Sequence, residues 1–128
     1  MKAIYEAAVY EISNSGIKIN VNERNIELDD LLEEYQENRW CFVTAWNPGG
    51  KERSLKENYI DQIKLLEDLS IYKVLDGNSR SADGDHAEGS FLVLGMGKEE
   101  GIRMAERYGQ LAFLHGRKGE NSMLHFLK

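Results

Sequence analysis

The chain has 128 residues, 41% of them hydrophobic, and its 22 acidic against 16 basic side chains give a formal net charge of −6. That length suits a single globular domain over residues 1–128, and the acidic balance excludes a general nucleic-acid binder, which needs a basic footprint. With one cysteine, Cys41, and no long uncharged apolar run, the expectation is a soluble protein of a reducing cytoplasm, without membrane association.

Residues 3–12 and 17–21 read as two strands joined by Ser13-Asn14-Ser15-Gly16, because Ile17, Ile19 and Val21 alternate with Lys18 and Asn20. A short helix over residues 3–11 is the alternative for the first of them. Leu28, Leu31, Leu32 and Tyr35 recur at helical spacing and predict a first helix over residues 29–38, with Glu33, Glu34 and Glu37 on its wet face. Residues 40–46 carry no charge and read as a strand covered on both faces. Asn47-Pro48-Gly49-Gly50 ends that strand abruptly.

Ser54 and Glu57 have capping-box spacing and precede an apolar series of Leu55, Tyr59, Ile63 and Leu66, so a second helix runs to about residue 69. A short strand over 71–75 follows, then a long polar loop over 76–88, then a strand over 91–94. Gly95-Met96-Gly97 leads to a third helix over 98–108, a strand over 111–114 and a closing edge strand over 123–127. The resulting expectation is one compact α/β or α+β domain with a mixed central sheet and about three helices.

The chemical motifs are weak. Gly-x-Gly-x-x-x-Gly over 95–101 has the wrong spacing for a dinucleotide fingerprint and lacks the Gly-Lys-Ser/Thr of a P-loop, so structural turn glycines are favoured over anion binding. The loop over 76–88 is rich in oxygen donors, but a calcium loop needs Gly at its sixth position and Glu at its twelfth, where Ser81 and Ala87 stand. Asp83, Asp85 and His86 could still hold a divalent ion, although a solvated loop is favoured and no metal site is assigned. His86, His115 and His125 show no zinc-ligand spacing.

What remains is a set of polar residues at element ends: Thr44, Asn47, Asn58, Glu88, Ser90 and Gln110. Asn58 stands out among them. It lies one position beyond the capping box, serves no cap and has poor helix propensity. Because helical side chains lean toward the N-terminus, it should face back toward Asn47.

The same residues carry a resemblance. Trp40, the run Phe42-Val43-Thr44-Ala45-Trp46-Asn47-Pro48, Ser54, Glu57-Asn58, Glu88-x-Ser90-Phe91, Gly95 and Tyr108-Gly109-Gln110-x-Ala112 resemble the small bacterial proteins grouped as domain of unknown function 3293. The chain departs from that pattern at His86, where tryptophan is usual, and at Gly89, where proline is usual. The resemblance implies a small soluble bacterial domain and supplies no reaction.

On the residues themselves, the first functional expectation is a binding module for a small polar, nucleotide-like or otherwise anionic ligand, of unknown identity and with no named cofactor. Thr44, Trp46, Asn47, Lys51, Arg53, Asn58, Ser90 and Gln110 would supply donors, a stacking plane and charge. The alternatives are a hydrolase or transferase using Glu88 as general acid or base, and a protein-interaction or inhibitor domain. In the first two readings Asn47, Asn58, Glu88 and Gln110 should converge on one concave site.

Overall fold

The central strand is covered on both sides. Trp40 and Phe42 pack into one core, and Cys41 and Val43 into another, as strand alternation requires. The computed structural model describes residues 5–82 and 87–127. Its strands are β1 (Val9–Ile12), β2 (Lys18–Asn20), β3 (Arg39–Val43), β4 (Lys73–Arg80), β5 (Ala87–Leu94), β6 (Ala112–Arg117) and β7 (Met123–Phe126). The helices are α1 (Ile26–Glu34), α2 (Leu55–Asp68) and α3 (Lys98–Arg107), with a short 3₁₀ turn over Pro48–Gly50. The strands form one curled sheet in the order β2-β1-β4-β5-β3-β6-β7, antiparallel at every pairing. This is a compact α+β fold; among the described residues, the parallel pairs that a mixed sheet would contain are not formed.

The concave face holds Tyr10, Ile12, Ile19, Phe42, Leu92 and Leu114 with Leu28 and Leu32 of α1. On the convex face Cys41, Val43, Phe91, Val93 and Phe113 pack beneath α2 and α3. Burial pushes the Cys41 thiol up to about 12, with Arg39 opposing the shift in small part, so this thiol is a core group and not a nucleophile. No helix among the described residues is long and apolar enough to cross a membrane.

Several boundaries differ from the sequence expectation, each for a local reason. The first helix begins at Ile26 because the Asn25 side chain accepts the Leu28 N–H at 2.8 Å and caps it three residues earlier. The first strand is confined to Val9–Ile12, with Tyr5 and Glu6 helical before it. Residues 76–80, read as loop, continue β4: they pair with β1 on one side and β5 on the other. Their turn-forming composition is overridden by two partner strands. Gly77 is needed there, since a Cβ would stand 2.6 Å from the Phe42 ring. Asp83, Asp85 and His86 lie outside the described residues.

The largest correction concerns α2. Leu55, Tyr59, Ile63 and Leu66, the apolar series that predicts this helix and would ordinarily mark its buried face, are 63%, 57%, 59% and 44% exposed. The buried face consists of Asn58, Gln62 and Leu65, continued by Leu69 beyond the helix end.

Candidate functional site

The inverted helix exists to hold the loop that leaves β3. Ser54 and Glu57 form both bonds of the capping box and set where α2 begins. Asn58 then projects from its second turn, 1% exposed, directly under Asn47. Its Oδ1 accepts the Asn47 N–H at 2.9 Å and the Arg53 Nε–H at 2.7 Å, while its Nδ2 donates to Asn47 Oδ1 at 2.9 Å. Asn47 Oδ1 also takes the Arg53 N–H at 3.3 Å. These bonds fix Asn47 in the left-handed region, φ 45°, which asparagine tolerates better than most residues.

One turn further along, Gln62 repeats the device. Its Oε1 accepts the Ala45 N–H at 2.6 Å, so a buried amide replaces the partner that the backbone lost where β3 stopped. The Arg53 guanidinium closes the other side, donating to the Ala45 carbonyl at 3.0 Å and pairing with Asp61 at 2.8 Å. From the turn after α3, Gln110 Nε2 donates to the Trp46 carbonyl at 3.0 Å, and the Gly109 carbonyl accepts the Gly49 N–H at 2.7 Å. The loop is therefore held from three elements.

Above it opens a cleft of about 420 Å³ lined by Trp46, Asn47, Glu52, Arg53, Asn58 and Glu88, with Gly50, Leu55 and Ala87 completing the wall. Trp46 stands edge-on to Tyr59 with ring centroids 5.4 Å apart. Glu88 borders the cleft from the start of β5. Strand alternation sets it on the concave face, in the row of Tyr10 and Ser79. Burial is the main reason that the Tyr10 hydroxyl titrates above its ordinary range, and the charges of Tyr5 and Glu88 add to the shift.

Of the residues singled out from sequence, Trp46, Asn47, Arg53, Asn58 and Glu88 meet at this cleft. Gln110 reaches the same loop through the Trp46 carbonyl, without lining the cleft. Thr44 is a staple: its hydroxyl donates to the Gly89 carbonyl at 2.6 Å and accepts the Trp46 N–H at 3.0 Å. Ser90 is buried and donates to the Glu88 carbonyl at 3.3 Å. Lys51 is exposed and does not line the cleft. Gln62 and Glu52 were not singled out. For Gln62 the signal was present, since Asn58, Gln62, Leu65 and Leu69 form a helical stripe of their own.

The glycine run over 95–101 does structural work. Gly95 adopts φ 88°, and Gly101 lets α3 lie against the sheet, where a Cβ would stand 2.5 Å from the Phe113 ring.

Fold and site together define a small α+β protein with a braced loop and cleft at the end of its central strand. The family described as protein of unknown function (DUF3293) matches residues 43–113, more than half of the chain and the span that carries the loop, α2, β5, α3 and Gln110. The chain belongs to that family. No curated protein and no solved structure matches it.

Proposed function

We propose that the cleft binds a small polar ligand of nucleoside-monophosphate character. The observation that carries this reading is the set of hydrogen bonds from Asn58, Arg53, Gln62 and Gln110 that hold the Trp46–Asn47 loop beneath it. Side chains and backbone locked in this way lose little entropy when a ligand arrives, which is what a preorganised site gains. The volume falls within the range of small-molecule sites. Trp46 offers an aromatic edge or face to a planar heterocycle. Arg53 answers one anionic group, and Glu52 and Glu88 accept from amines or hydroxyls. Two carboxylates on the walls, with Asp61 already paired to Arg53, disfavour a triphosphate.

Adenosine and adenosine 5′-monophosphate, with inorganic phosphate as control, test the proposal by intrinsic fluorescence and thermal unfolding. Trp40 is buried, so quenching by ligand reports on Trp46. Saturable quenching that disappears in Trp46→Ala supports the reading, as does added stability of about 2.7 kcal/mol at a hundredfold excess over Kd. Neither quenching nor a thermal shift with either compound refutes it.

A further inference from the structure

We infer that the exposed apolar stripe of α2 is the interface of a symmetric homodimer, in which two copies pair their α2 helices antiparallel. Leu55, Tyr59, Ile63 and Leu66 lie on one flank of the helix and are all exposed. The opposite flank is occupied: Asp68 accepts from Arg107 and Tyr108 at 3.1 and 2.5 Å, which ties that side to α3. The stripe therefore overlooks the other half of the convex face. Among the described residues, the convex core there ends at the partly buried Val74 and includes no residue of β1 or β2.

The charge pattern selects a second copy as the occupant. A dyad midway between Tyr59 and Ile63 sets Leu55 opposite Leu66 of the other copy and Tyr59 opposite its Ile63. Lys56 and Glu67 each follow one end of the stripe, on the same side of it. In an antiparallel pair, residues on the same side meet across the interface, so Lys56 of each copy faces Glu67 of the other and two opposite-charge pairs form. Neither residue takes part in an ion pair among the described residues. Such self-complementarity is what an isologous interface requires. A single helix pair is a small contact, so the dimer belongs to the weak, concentration-dependent class. Leu55 also lines the cleft, so the partner's α2 end would border the ligand site.

Sedimentation equilibrium of the whole chain from low to high micromolar concentration tests this. The expected result is a shift from 14.6 kDa to twice that mass. Ile63→Asp, at an exposed position near the dyad, should give a monomer with unchanged circular dichroism and melting. Lys56→Glu should weaken association about tenfold or more, because it turns both attractions into repulsions. Adding Glu67→Lys to it should restore the dimer. A chain that stays monomeric throughout, a dimer indifferent to Ile63→Asp, or a reciprocal exchange that fails to restore association would each overturn the inference.

Discussion

Asn58 concentrates the argument at the scale of the residue. Its carboxamide accepts twice and donates once, all within the loop it supports. Alanine would be the better helix former, by a few tenths of a kcal/mol. It would also strand the Asn47 N–H and the Arg53 Nε–H, both of which Asn58 Oδ1 accepts. The second effect wins: Asn58→Ala should lower stability by about 1–3 kcal/mol in urea unfolding. Asn58→Leu should fare no better, although it regains propensity and apolar surface. Equal unfolding midpoints for parent and both variants would remove the bracing role. The sequence already marked this residue, because an asparagine one step past a capping box has no local task. Gln62 shares a helical stripe with Asn58, Leu65 and Leu69, but a more hydrophobic stripe beside it masks that signal.

At the scale of the element, the lesson lies in which stripe a helix buries. Periodicity finds an apolar stripe on α2, and the sequence holds two overlapping ones. Leu55, Tyr59, Ile63 and Leu66 form the more hydrophobic. The other, of Asn58, Gln62, Leu65 and Leu69, is the one that the fold uses, because its two amides satisfy the loop after β3. Hydrophobicity alone ranks them in the wrong order. The extension of β4 was hidden for a related reason: residues 76–80 have the composition of a turn, and only β1 and β5 together make them a strand. Helix α3 offers a test in which propensity and packing oppose each other. Gly101→Ala should gain about 1 kcal/mol of helix propensity. The new methyl, however, would stand 2.5 Å from the Phe113 ring and 2.9 Å from Cys41 Sγ, and overpacking of that kind costs about 1–3 kcal/mol. We expect a net loss, seen as a lower melting temperature. A melting temperature above that of the parent would mean that α3 can lift from the sheet at little cost.

For the molecule as a whole, the curl of the sheet brings its two edges together. β2 and β7 are the outermost strands in the sheet order, yet the segments that flank them are hydrogen bonded. The Asn22 N–H donates to the Ser122 carbonyl and the Ser122 N–H to the Glu23 carbonyl, both at 3.0 Å. The Ser122 hydroxyl donates to the Asn20 carbonyl at 2.7 Å. Three bonds through one buried serine thus join chain segments a hundred residues apart in sequence, a closure that no local pattern could announce. It also blunts edges that would otherwise invite pairing with another chain. If the closure belongs to the cooperative core, the amides of Asn22 and Ser122 should exchange hydrogen as slowly as those of β3, through global unfolding. Ser122→Ala removes only the hydroxyl bond and should cost about 1 kcal/mol. Ser122→Pro also deletes the donor to Glu23 and should free both segments, raising the exchange rate at Asn22 while leaving β3 protected. Rapid exchange at Asn22 and Ser122 in the parent protein would show that the sheet is open at this end and that its edges only happen to lie close.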